Sequence, residues 1–156
     1  MLSFMVPLES NYSAEDKTDA AGLNTAGDPD VEGWSAQLDV GLGGFGLVAG
    51  YSDREFGSAV SATEYYGGLR YWLGGTTRAG YLMAVGRYSE GLEIAAGQSH
   101  SYWGYGVGGG AMTQMTENIF LDGRLMYELL TRDINVGVND VDLHGLVISL
   151  GIVVSQ

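Results

Sequence analysis

The sequence predicts an all-β fold: a closed, antiparallel, up-and-down transmembrane β-barrel of about eight strands with a polar, filled lumen. Three observations predict it. From Gly33 onward the residues alternate in period two through almost every segment, with no sustained 3.6-residue periodicity. Long polar connections alternate with short turns, so that long loops gather at one end and short turns and both termini at the other. Finally, charged residues of both signs sit opposite continuous apolar faces. A membrane barrel is apolar outside and polar inside, the inverse of a soluble barrel.

Strands are expected near residues 2–13, 32–43, 44–56, 61–73, 78–91, 98–113, 117–132 and 139–154, as one domain spanning 1–156. Long loops are expected near 14–31, 52–62, 89–98 and 133–140, and short turns at 43–44, 73–77 and 114–118. The first strand carries Pro7, which removes a ladder donor. If that strand fails, closure needs another source, such as an eighth strand from a partner. The second strand divides cleanly: Trp34, Ala36, Leu38, Val40 and Leu42 share one face, and Gly33, Ser35, Gln37, Asp39 and Gly41 the other. On the third, Gly46 and Gly50 are expected inward, where small residues let the wall curve and leave room for long side chains.

The fourth strand sets Tyr65, Leu69, Tyr71 and Leu73 against Glu64, Gly68 and Arg70. The fifth contributes Arg87 as an interior counter-charge, and the sixth brings Gly104, Gly106 and Gly108 inward. On the seventh, Ile119, Leu121, Leu125, Tyr127 and Leu129 lie opposite Asp122, Arg124 and Glu128. The eighth sets Leu146, Ile148, Leu150, Ile152 and Val154 against Ser149 and Gly151.

The expected lumen network is Asp39, Glu64, Arg70, Asp122, Arg124 and Glu128, whose opposite charges neutralise one another. Leu38, Val40, Leu69, Leu121, Leu125, Leu129, Ile148, Leu150 and Ile152 are expected to face lipid. Aromatics cluster towards strand ends. Tyr12, Trp34, Tyr51, Tyr65 and Trp103 lie near the long loops, and Phe4, Phe45 and Tyr71 near the short turns, as two interfacial girdles would.

Composition removes several functions. The 156 residues carry 7 Lys plus Arg against 19 Asp plus Glu, a formal charge of −12 that repels nucleic acid. With no Cys there is no disulfide, thiol nucleophile or Cys-ligated zinc. No apolar run approaches the roughly 18 residues of a membrane helix. Met1 runs almost at once into a strand without a leader pattern, so a secretion signal is expected to have been removed.

The motifs carry little chemistry. Gly41-Leu42-Gly43-Gly44-Phe45-Gly46 has the G-x-G-x-x-G spacing but lies between strands, where it reads as a turn and not a dinucleotide loop. His100-Ser101, with Glu90 or Glu93 as orienting acid, invites a hydrolase reading, yet adjacent strand residues point to opposite faces. Asp142 and His144 share a face but make only two metal ligands. Asp122 and Glu128 as an acid–base pair are explained more simply by ion pairs with Arg70, Arg87 and Arg124. The acidic first loop, with Glu15, Asp16, Asp19, Asp28 and Asp30 against Lys17, matches no calcium-loop spacing and reads as a solvated segment. Asn11-Tyr12-Ser13 fits an N-glycosylation pattern, which is read as carrying no meaning here.

The strand texture of Tyr65-Tyr66-Gly67-Gly68-Leu69-Arg70-Tyr71-Trp72 and Tyr102-Trp103-Gly104-Tyr105-Gly106-Val107-Gly108-Gly109 resembles the small outer-membrane barrels of the outer membrane protein A and outer membrane protein X group, over nearly the whole chain. The chain departs from that group in ending Val154-Ser155-Gln156, without the terminal aromatic that assembly machinery reads. The resemblance implies a Gram-negative outer-membrane location and a structural or interaction role in the cell envelope. Membrane lipid, lipopolysaccharide and envelope proteins are then the expected partners, without cofactor, metal or open pore. The alternatives it leaves are a lipid-modifying enzyme of lipase or deacylase type, a minor channel, and a soluble lipocalin-like barrel.

Overall fold

The computed structural model describes residues 1–16, 31–56, 60–74, 78–93, 99–130 and 141–155. Eight strands follow one another: β1 (Leu2–Asp16), β2 (Val31–Leu42), β3 (Phe45–Phe56), β4 (Val60–Trp72), β5 (Arg78–Glu93), β6 (Ser99–Thr116), β7 (Ile119–Leu130) and β8 (Val141–Val154). Each pairs antiparallel with its neighbours in sequence, and β8 returns to β1, so the sheet closes. Closure removes the exposed edges that an open sheet would present to lipid.

Several strands run further than the sequence suggests. β1 reaches Asp16 and β5 reaches Glu93. The segment 52–62, read as a loop, is mostly strand, because β3 continues to Phe56 and β4 begins at Val60. Polar residues at these strand ends look like loop in sequence, yet Asp53, Arg54 and Glu55 pair in register with Thr63, Ala62 and Ser61. Ladder hydrogen bonds and continued alternation hold the strand together whatever the side chains.

Pro7 does not prevent closure. It lies within β1 opposite Ser149, and the register with β8 shifts by a bulge between Pro7 and Glu9. Among the described residues β1 pairs with β2 only from Leu2 to Met5, opposite Leu38 to Ser35. The next positions in line would set Pro7, which has no N–H, against Gly33, whose φ of 127° departs from strand geometry. The chain's own first strand thus completes the barrel, with β8 as its main partner.

The turn at 43–44 needs glycine at Gly43, where φ is 72°. Gly50 leaves room for a ring, since a Cβ there would collide with the Tyr66 side chain. The wall sorts side chains by sign of polarity. Leu38, Leu47, Leu69, Leu82, Val107, Leu125, Ile148 and Ile152 are exposed on the outer face. Arg70, Glu64 and Asp122 are each 0% exposed inside. A soluble monomer does not present a continuous apolar belt of this extent.

Leu125, exposed between Gly109 of β6 and Ile148 of β8, tests the polarity of the wall. Leu125→Arg is expected to lower the unfolding free energy in liposomes by about 2–4 kcal/mol, the cost of arginine near a bilayer midplane. Urea unfolding of folded proteoliposomes measures it, and an unchanged midpoint would place Leu125 outside hydrocarbon.

Candidate functional site

Alternation sends every second side chain of each strand into a lumen too narrow for bulk water, so each charge there needs a partner. The lumen charges collect in two layers, each with two arginines and two carboxylates.

The layer nearer the long connections is a closed ring of ion pairs. Arg54 of β3 reaches Glu64 of β4 at 2.5 Å and donates to Glu128 of β7 at 2.6 Å. Arg87 of β5 joins the same two carboxylates from the other side, donating to Glu64 at 3.2 Å and pairing with Glu128. Ser52 and Tyr102 donate to Glu64 at 2.9 and 2.8 Å, and the Arg87 guanidinium lies 5.0 Å from the Tyr66 ring centroid.

The layer nearer the termini is a branched network. Arg124 donates to Asp122 at 3.3 Å, to the Tyr81 hydroxyl at 3.1 Å and to Gln37 at 3.0 Å. Gln37 in turn donates to Asp39 at 2.7 Å, and Asp39 pairs with Arg70 at 3.3 Å. The Tyr81 hydroxyl donates to the Asp122 carboxylate at 2.8 Å, and Arg70 stacks 4.2 Å from the Tyr81 ring centroid. Between and below the layers lie Val48, Met83, Val85, Met112, Met126 and Val153, all buried.

All six residues of the expected network, Asp39, Glu64, Arg70, Asp122, Arg124 and Glu128, are therefore buried, but they divide between the two layers. The pairing also differs from expectation: Arg70 takes Asp39, and Arg87 takes both glutamates. Arg54 is a member that sequence reasoning missed, because Asp53-Arg54-Glu55 looks like a polar loop. Continuing the alternation from Ser52 by two residues would have found it. Gln37, Tyr81 and Tyr102 were missed as network members because neither charge nor hydropathy singles them out.

On the outer face Phe4, Trp34, Tyr51 and Tyr65 form a run of ring contacts with centroids 5.6, 5.4 and 5.6 Å apart. Phe4 thus joins the row of Trp34 and not the short-turn aromatics. Trp103 packs on Tyr88 at 4.9 Å, and Phe45 on Tyr71 at 4.9 Å towards the short turns. Tyr12 pairs in register with Gly145, which pairs with Glu128, and its side chain lies outside the described ones. Leu38, Val40, Leu69, Leu125, Ile148, Leu150 and Ile152 are exposed on the outer wall, and Leu121 and Leu129 are half-buried there.

The chemical motifs do not assemble among the described residues. Ser101 is exposed, while His100 pairs in register with Leu92 and its side chain, like those of Glu93 and Asp142, lies outside the described set. His144 packs 6.3 Å from the Tyr127 ring, and no group of three metal-ligating residues occurs among the described residues.

No family model matches the chain, and no curated protein matches it in sequence. Solved structures do match in shape. The crystal structure of Neisserial surface protein A aligns over 99% of this chain and 97% of its own, with a TM-score of 0.66 and 14% identity. The N-terminal β-barrel domain of Pseudomonas aeruginosa OprF aligns over 96% of each chain, with a TM-score of 0.51 and 14% identity. The chain has the fold of the small eight-stranded outer-membrane β-barrels. At these identities the likeness lies in architecture, so the lumen chemistry must be argued from this chain's own residues.

The ion-pair ring makes a quantitative prediction. Arg54→Leu orphans part of the charge on Glu64 and Glu128 and is expected to cost about 3–5 kcal/mol, the penalty for breaking a buried pair. Adding Glu128→Leu is expected to recover a substantial part of it. A double-mutant cycle by urea unfolding in liposomes checks this, and strict additivity would dissolve the ring as an energetic unit.

Proposed function

We propose that this protein is an integral barrel of the bacterial outer membrane whose role is structural or interactive within the cell envelope, and that it is not a pore. The observation that carries the reading is the pair of charge-neutral layers across the lumen. Arg54, Glu64, Arg87 and Glu128 link four strand positions across the interior, and Glu64 is wholly buried. An ion moving along the axis has to break several charge-assisted bonds at once. A barrel plugged in this way presents only its ends and its outer wall to other molecules.

That arrangement favours contacts made by surface over chemistry made in a cleft. The outer wall offers apolar side chains with aromatic rows, which suit lipid and the apolar part of lipopolysaccharide. The long-connection end offers exposed Glu32, Asp53, Glu55 and Glu90, which suit cationic partners or other envelope proteins.

Purified protein in planar bilayers is expected to show no sustained conductance above the bare-membrane baseline. Arg54→Ala with Arg87→Ala is expected to admit brief openings, because the ring is then left with two unpaired carboxylates. Large, long-lived openings from the unmodified protein would overturn the closed-barrel reading.

A further inference from the structure

At the terminal end the lumen stops being polar. Below the layer of Asp39, Arg70 and Asp122 lies a half-open cavity of about 310 Å³, walled by Trp72, Met112, Phe120 and Ala79 and reaching the turn glycines Gly43 and Gly74. Met1 lines it too, with its ammonium group donating to the Asp39 carbonyl oxygen at 2.8 Å.

We infer that this cavity is a binding site for a small, uncharged aromatic molecule of one or two rings, entering from the side of the short turns. Size is the first argument. An enclosed apolar cavity of roughly 150 Å³ already accommodates benzene, and ligand pockets begin near roughly 300 Å³. Here about 310 Å³ leaves space for a fused bicyclic ring.

The walls decide the chemistry. Among the described residues, no Asp, Glu, Lys or Arg side chain lines the cavity. The side-chain charges of the layer above are paired, with Arg70 3.3 Å from Asp39 and Asp122 bound by Tyr81 and Arg124. A cationic ligand would therefore lose its hydration and gain no counter-charge, and the one formal charge among the described wall residues, the Met1 ammonium, is already engaged with the Asp39 carbonyl oxygen. What the walls do supply is aromatic and thioether surface. Trp72 and Phe120 pack against the buried cluster that contains Met112, and a thioether adapts to a ring and attracts it.

The position of Trp72 is fixed from two sides. Its ring meets Tyr81 edge-on at 5.5 Å, and the Arg70 guanidinium sits 5.1 Å from its centroid. The platform is thereby preorganised, which spares the ligand the entropy of ordering it.

The test uses indole as the probe, with the full chain in lipid nanodiscs and methionine methyl groups labelled with carbon-13. The six methionines report separately: Met112 lines the cavity, Met126 is buried elsewhere in the lumen, and Met115 is 63% exposed on the barrel surface. Indole is expected to shift the Met112 methyl resonance saturably while leaving Met126 unmoved and Met115 drifting at most linearly. Ala79→Leu, which fills the cavity from its wall, is expected to weaken that saturable shift at least tenfold. A Met112 resonance that never moves, or one that follows Met115 without saturation, would overturn the site, the second outcome showing partition into lipid only. The shifts of the unmodified protein decide the matter even if Ala79→Leu does not fold.

Discussion

The constraint on which the rest of the structure depends is the neutralisation of charge inside a closed wall. Once the sheet closes, half of each strand points into a space without bulk water, and a lone arginine or carboxylate there would cost several kcal/mol. The chain meets this with equal numbers. Four arginines, Arg54, Arg70, Arg87 and Arg124, are buried with four carboxylates, Asp39, Glu64, Asp122 and Glu128. Each layer is neutral by itself, so neither depends on a long-range field from the other. Hydroxyl and amide groups from Ser52, Gln37, Tyr81 and Tyr102 then take up some of the lone pairs and donors that the ion pairs leave over.

The same constraint shapes the wall. Long guanidinium groups reach across the interior where facing positions are small, and β6 carries glycine at the inward positions 104, 106, 108 and 110. Met126 fills the space beside Gly106, and a Cβ at Gly108 would strike the β7 backbone at Leu125. Some large interior residues complete a layer with a polar tip, as Tyr81 does, and others close the terminal end, as Trp72 and Phe120 do.

Much of the architecture was legible because a strand records its two environments in alternate residues. Leu121, Asp122, Arg124 and Leu125 state by their order which face is wet, and that pattern survives any uncertainty in strand ends. The pairing inside was not legible. Arg54 meets Glu128 across 74 residues and Arg124 meets Gln37 across 87, because strand tilt carries each hydrogen-bonded row up the barrel as it goes round. Which positions share a height depends on the accumulated register, including the shift at Pro7, and no local pattern holds that sum. Arg54 was hidden for a local reason: three consecutive charged residues at a strand end look the same whether the strand stops or continues.

The balance inside also fixes where the net charge lies. The four buried arginines and four buried carboxylates cancel, so the formal −12 belongs wholly to the remainder of the chain. Part of it is visible at the long-connection end, where Glu32 pairs in register with Glu55, Asp53 lies one strand from Thr63, and Thr63 pairs with Glu90. Like charges set directly opposite each other on neighbouring strands are destabilising. The cost stays small only because these residues are exposed and screened by salt over about 10 Å at 0.1 M. Among the described residues the electrostatics separate by solvent access: the buried charges are paired, and the unbalanced carboxylates Glu32, Asp53, Glu55 and Glu90 stand where counter-ions can reach them. This division leaves the apolar belt between the two regions free of any need to carry charge.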